Sequence, residues 1–172
     1  MAVLDPEMKQ AVIRRTVRKF AEEKLVSAAV TMDQTAEFPA QLAQEMAALQ
    51  YFGLEIPEAY GGAGLDSVSC AIVIEEISRA SGAMGLCISV HNSVSTFPVY
   101  EFGNEAQRQK FLVPMAKGEK IGTFCLTEPN AGSDATSIET TAVKDGDGYI
   151  LNGSKIFVTN GGASGLNLIF AI

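Results

Sequence analysis

The sequence contains no run of about 20 apolar residues, so nothing in it is long and apolar enough to span a membrane as a helix. It is poor in basic residues: 13 Lys and Arg stand against 20 Asp and Glu, for a net charge of −7. That balance, with a pI near 4.7, excludes the basic face a nucleic-acid binder needs. It leaves room for an anionic small ligand, because backbone N–H groups act locally. There is one histidine, and the three cysteines, Cys70, Cys87 and Cys125, are odd in number and form no C-x-x-C pair. They read as reduced thiols of a cytoplasmic protein. The opening residues MAVLDPEMKQ lack the basic region and apolar core of a secretory leader. No internal repeat or low-complexity segment is present. What remains is a chain of 172 residues, 47% hydrophobic and 19% charged, the composition of a globular protein.

The first 120 residues read as a helical domain. Asp5 caps a helix with Pro6 in its first turn, and Met8, Val12, Ile13, Val17, Phe20 and Ala21 recur at helical spacing as one apolar stripe. A second helix begins at Pro39, buries Leu42, Met46 and Leu49, and stops before Gly53. A loop with Gly61, Gly62 and Gly64 follows, and Asp66 caps a third helix carrying Val68, Ile72 and Ile77. The small, apolar stretch from Ser81 to Phe102 suggests a buried helix kinked near Pro98 and ended by Gly103. Asn104 and Gln107 form a capping-box pattern for one more helix, running to about Lys117. From 121 to 172 the period changes. IGTFCLT is a strand-like run, the Asp-Gly and Asn-Gly dipeptides in TTAVKDGDGYILNGSKIFVTNGG signal hairpins, and NLIFAI opens a further strand. An apolar strand at the very end implies further chain beyond Ile172. The expected class is α+β, an all-α N-terminal domain (1–120) followed by the truncated opening strands of a β-barrel-like middle domain (121–172).

The stretch FCLTEPNAGSDATS, Phe124 to Ser137, switches abruptly from apolar to small and polar. Pro129 blocks a simple continuation of the strand ladder, Gly132 permits close approach of a ligand, and Ser133 offers a hydroxyl and an N–H. Such a turn can hold a phosphate through its amides without a lysine. The same residues also read as an ordinary loop in which Asp134 caps something local.

CLTEPNAGSDATS resembles a signature of the acyl-CoA dehydrogenase family, and DGDGYILNGSKIFVTNGG resembles a second. The preceding HNSVSTFPVYEFGNEAQRQKFLVPMAKGEKIG is similar to the short-chain, butyryl-CoA dehydrogenase branch. The resemblance extends over essentially the whole chain and implies an FAD site. Phe124, Leu126 and Thr127 match positions that meet the pyrimidine side of the isoalloxazine. Gly132 and Ser133 match positions beside the pyrophosphate and the pantetheine channel. Phe157 and Thr159 match an aromatic packed on the ring and a hydroxyl that reaches N5. A strand over this segment puts both on one face, two residues apart, and a donor at N5 helps where negative charge develops. Many members carry Trp where this chain has Phe157, which lacks the indole N–H. The implied reaction is α,β-desaturation of an acyl-CoA thioester, with electrons passed to an electron-transferring flavoprotein. Family members continue into a second β half and a C-terminal helical domain. That domain supplies the glutamate base, most contacts of a homotetramer and part of the adenine site. No catalytic residue is therefore assigned within these 172 residues, and Glu128 is read as part of the structural Glu-Pro turn. An acyl-CoA oxidase on the same scaffold, and a non-catalytic helical interaction module, are the alternatives.

Other residues have plainer readings. Cys87 and His91, four apart on one helical face, offer a nucleophile pair in principle, but the spacing recurs by chance and the favoured reading is a packed thiol and a satisfied imidazole. Leu86 to Thr96 lines the acyl pocket if the helix serves as its family counterpart does. The glycines at 61, 62 and 64 fit neither a P-loop nor a dinucleotide fingerprint. Asp145 and Asp147 alternate as in a calcium loop, but Ile156 stands where its closing glutamate belongs. Lys9, Arg14, Arg15, Arg18 and Lys19 read as a solvated helix face.

Overall fold

The computed structural model describes residues 5–172; Met1 to Leu4, part of the stretch read as free of a leader, lie outside the described residues. Helix α1 (Pro6–Phe20) starts where the local chemistry places it, with the Asp5 carboxylate accepting the Glu7 N–H at 2.9 Å. It does not stop at Ala21. A π-helical stretch, Ala21–Leu25, leads into α2 (Val26–Thr35). The apolar pattern did not disclose α2 because none of its residues is buried. Of the expected stripe, Val17 and Ala21 are buried and Ile13 and Phe20 pack against the core. Met8 and Val12 are exposed, because the core cluster begins only at Ile13.

Helix α3 (Ala40–Ala48) follows Pro39 and buries Leu42 and Met46. Leu49 lies past its last turn and is exposed. Between α3 and α4 (Ser67–Ala80) runs the glycine loop. A Cβ on Gly62 would meet the Ile56 carbonyl oxygen at 2.0 Å, so this glycine serves backbone packing. Asp66 caps α4 by accepting the Ser69 N–H at 2.8 Å, and Ile72 and Ile77 are buried while Val68 is not. The stretch from Gly82 to Phe102 is α5 (Gly82–Val90), a π-helical stretch His91–Thr96, and α6 (Phe97–Phe102). The distortion expected at Pro98 takes the form of that π stretch just before it. The Asn104–Gln107 capping box is formed in both directions, each bond 2.9 Å. It opens α7 (Glu105–Gln107), a π stretch Arg108–Leu112, and α8 (Val113–Ala116). The core of this helical part is Leu25, Met46, Phe52, Leu54, Ile77, Met84 and Ile88.

The strands are β1 (Gly122–Cys125), β2 (Thr141–Asp145), β3 (Gly148–Asn152) and β4 (Leu166–Ile169). The Asp-Gly signal holds: β2 and β3 pair antiparallel around a two-residue turn, with Gly146 at φ 58°. The Asn-Gly signal at Asn152-Gly153 does not make a hairpin. A Cβ on Gly153 would meet Thr140 Oγ1 at 2.3 Å, so the glycine lets the chain leave β3 close against Thr140. Residues 153–165 are then irregular, against the expected strand through Phe157 and Thr159. The NLIFAI strand is present as β4, parallel to β1 and in register Gly122↔Leu166. Beyond it the Phe170 N–H donates to the Cys125 carbonyl at 3.1 Å and the Ile172 N–H to the Thr140 carbonyl at 2.9 Å. The end of the chain thus links β1 to the hairpin.

Candidate functional site

The first motif begins in β1, where the Phe124 ring packs on Phe170 at 5.0 Å between centroids. Leu126 and Thr127, half-buried, follow the strand. Pro129 sits in a tight turn closed at both ends: the Glu128 N–H donates to the Ala131 carbonyl at 3.0 Å and the Ala131 N–H to that of Glu128 at 3.1 Å. The chain then emerges at Gly132 and Ser133, both exposed, and beyond its immediate chain neighbours no atom lies within 4 Å of where a Gly132 Cβ would stand. Asp134 is the local cap that the plainer reading expected. It accepts the Thr136 hydroxyl at 2.6 Å and the Ser137 hydroxyl, and those bonds hold its carboxyl below the ordinary range. The cap and the opening are neighbours, so the two readings of this loop are compatible.

Glu128 organises the turn. Only 5% exposed, it accepts the Glu139 N–H at 2.6 Å, the Thr140 N–H at 3.0 Å and the Lys155 ammonium at 2.6 Å. Lys155 first, and then these backbone and Thr140 bonds, pull the carboxyl down to about 2. Lys155 also donates to the Leu126 carbonyl at 3.0 Å. It is the only charged residue from Gly148 to Ile172, a signal that sequence reasoning passed over. The Ile156 N–H donates to the Thr127 carbonyl at 2.9 Å. At the other end Asn160 Nδ2 donates to the Gly122 carbonyl at 3.3 Å and the Cys87 carbonyl at 3.2 Å. Residues 155–160 therefore run alongside 122–128 in the opposite sense, fastened at both ends by polar groups. Asn160 is the second residue whose role sequence reasoning missed: its Asn-Gly dipeptide marks a turn but not the carbonyls its side chain reaches.

This frame brings Phe124, Leu126 and Thr127 beside the segment of Phe157 and Thr159, though not by the expected strand alternation. Phe157 has φ 55°, a left-handed conformation that is a true outlier for a bulky residue and costs about 1–3 kcal/mol. Its ring is 87% exposed. Thr159 is half-buried and lines an open groove of about 690 Å3 with Met32, Phe38, Ala83, Leu86 and Cys87. Of the Leu86–Thr96 stretch, only Leu86 and Cys87 reach this groove. Gly132 and Ser133 lie in the loop beyond the Glu-Pro turn, and among the described residues no hydrogen bond joins them to 155–160.

Cys87 and His91 form no nucleophile pair. Burial pushes the Cys87 thiol up to about 12. The Gly122 N–H donates to His91 Nδ1 at 2.9 Å, so Nε2 carries the proton and donates to the Met115 carbonyl at 3.1 Å. Burial lowers the imidazole to about 4. The basic run on α1 is not simply solvated. Arg14 and Arg18 each bond the buried Glu76 of α4 at 2.7 Å, with Arg79 beside it at 3.5 Å. The spacing along α1 showed the charges but not the carboxylate on another helix.

Residues 7–119 match the family description "Acyl-CoA dehydrogenase, N-terminal domain" and residues 123–172 match "Acyl-CoA dehydrogenase, middle domain". An acyl-CoA dehydrogenase of Bacillus subtilis is 49% identical over 95% of this chain and 43% of its own length. The structure of butyryl-CoA dehydrogenase from Megasphaera elsdenii superposes with a TM-score of 0.89 at 38% identity, over 100% of this chain and 46% of that one. An acyl-CoA dehydrogenase of Bacillus anthracis, complexed with FAD, gives 0.90 at 35% identity over 98% of this chain and 30% of that one. The chain spans less than half the length of these relatives. On both domain matches and on these likenesses, the chain belongs to the acyl-CoA dehydrogenase family.

Proposed function

We propose that this chain forms the flavin-facing part of an FAD-dependent acyl-CoA dehydrogenase that desaturates short-chain acyl-CoA thioesters between the α and β carbons. The observation that carries the reading is the frame of residues 122–128 and 155–160, fastened at both ends and presenting an exposed aromatic on a strained backbone. The residues present fit a flavin. Phe124, Leu126 and Thr127 would line one side of the ring, Phe157 would cover it, and Thr159 would offer it a hydroxyl. Gly132 has open space where a Cβ would stand and Ser133 is exposed, so backbone N–H groups and a hydroxyl can meet a phosphate there. Bound there, FAD would supply the acceptor for the hydride leaving the β carbon.

The chain's own residues bind, orient and exclude water. The groove beside Thr159, walled by Met32, Phe38, Ala83 and Leu86, offers apolar surface to an acyl chain. Glu128 does not serve as the base for the α-proton, because its carboxylate is committed to Lys155 and two backbone amides and held near 2. Electrons would leave to an electron-transferring flavoprotein, and the enzyme would assemble as a homotetramer. The three buried free thiols agree with a reducing, cytoplasmic setting.

The test is the purified product of the complete gene. It should carry visible flavin absorbance that bleaches on anaerobic addition of butyryl-CoA, and its reduced form should reoxidise slowly in air. A colourless protein that takes up no FAD overturns the proposal, and fast reoxidation points to an oxidase instead.

A further inference from the structure

Gly122 opens β1 at a point where three segments meet. Its N–H is held by His91 Nδ1 at 2.9 Å, from the π stretch after α5. Its carbonyl is held by Asn160 Nδ2 at 3.3 Å. The same Asn160 amide group reaches the Cys87 carbonyl at 3.2 Å, one turn before His91 on the same helix. A Cβ on Gly122 would meet Met115 Cε at 2.5 Å and Ser95 Cβ at 2.7 Å, so the strand start is seated against the helices with no room to shift. Asn160 has φ 67°, a conformation that asparagine tolerates better than most residues. Its side chain is thereby turned towards two carbonyls on different elements.

We propose that Asn160 is a positioning residue for the flavin shelf: by gripping the Gly122 and Cys87 carbonyls it sets the height of its neighbour Thr159 over β1 and the mouth of the groove. The inference rests on the proposed flavin reading but makes a claim of its own. The far end of the frame is held by the Glu128–Lys155 pair. Between the two fastenings the backbone at Phe157 and Thr159 is irregular and has no strand ladder to define it. A turn bond from the Gly161 N–H to the Val158 carbonyl at 3.0 Å shapes the near end locally, and the Asn160 amide is the side chain that ties it to β1 and α5. His91 contributes by making Gly122 a fixed reference, because both its ring nitrogens are committed to backbone groups.

Two substitutions in the full-length protein test this. Asn160→Gly accepts the left-handed backbone without strain and removes both bonds. Asn160→Asp keeps the size and the turn tendency but has no donor for either carbonyl. Hydrogen exchange of the apoprotein reads the grip without any cofactor. Both variants should exchange faster at the Gly161 amide, bonded to the Val158 carbonyl, and at the Gly122 amide, with the helical amides unchanged. Flavin titration reads the consequence: the FAD dissociation constant should rise about tenfold, as expected for the loss of one to two hydrogen bonds' worth of ordering. The shape of the bound-flavin spectrum should change with it. Unchanged exchange in both variants overturns the proposal. So does faster exchange with unaltered FAD affinity and spectrum. If the unsubstituted protein binds no FAD while exchange responds as stated, the flavin reading fails and the grip of Asn160 on the segment stands.

Discussion

From Pro6 to Ala116 the chain buries Leu25, Met46, Phe52 and Ile77 at 0% exposure, whereas from Gly122 onward only Cys125 and Ala131 among its hydrophobic residues are buried. The helical region is an apolar core with polar fastenings added. Within these 172 residues the strand region is joined mainly by polar fastenings. Each holds one buried, partnered carboxylate. Glu76 gathers Arg14, Arg18 and Arg79 across α1 and α4, helices that Val17, Val73 and Ile77 already pack together. Glu128 gathers Lys155 and the amides of Glu139 and Thr140 where no apolar cluster does that work. Both carboxyls are drawn down to about 2 by their partners. The same electrostatics therefore reinforces an apolar core between α1 and α4 and ties one turn to a distant segment around Glu128.

The largest effect comes from the helical core. Phe52→Ala should destabilise the chain by about 4 kcal/mol, seen as a lower denaturant midpoint for loss of helical circular dichroism. A loss under about 1 kcal/mol would deny that the core carries this region. Next is the joint at His91. Unfolded, the ring takes a proton near its ordinary value of 6.5; folded, it resists until about 4. Between those values the unfolded state binds more protons, so stability falls as pH drops through the window, by about 3 kcal/mol in total. Urea unfolding at stepped pH checks this, and His91→Gln should flatten that segment of the profile. The carboxylates act in a separate, more acid window. Their folded values lie below the ordinary 4.5, so their contribution is full above it and is lost as pH falls towards 2.

Glu76→Gln should cost about 2 kcal/mol, less than the loss of a fully buried pair because the arginines are half-exposed. Glu128→Gln should leave helical unfolding nearly unmoved yet speed hydrogen exchange at the Glu139 and Thr140 amides at least tenfold. An equal shift of helix and strand signals in that variant would mean that the two regions are one cooperative unit. Smallest is Leu151→Thr on β3, a strand exposed along its whole length, expected within about 0.5 kcal/mol of the unsubstituted chain.

Local chemistry was legible residue by residue. Asp5, Asp66 and Asn104 cap helices as their positions require, because a cap involves only the next two or three residues. The Asp-Gly hairpin formed for the same reason. The continuation through Ala21–Leu25 into α2 was not legible, since a helix with only half-buried contacts such as Ala28 and Met32 leaves a weak apolar stripe. The strand expected through Phe157 and Thr159 was not formed, because hydrogen bonds from Lys155, Ile156 and Asn160 to distant groups replaced the ladder that alternation assumes.

The order of residues alone determined the helix starts, the change from helical to strand-like pattern after Gly118, and the two motifs that mark the family. Tertiary structure alone decided which charges are buried together, that His91 is a neutral strut, and that Lys155 and Asn160 fasten one motif to the other. The reason is range. Caps, turns and periodicity act over a few residues, while Glu128–Lys155 and Cys87–Asn160 join groups 27 and 73 positions apart, which only the folded chain brings within hydrogen-bonding reach.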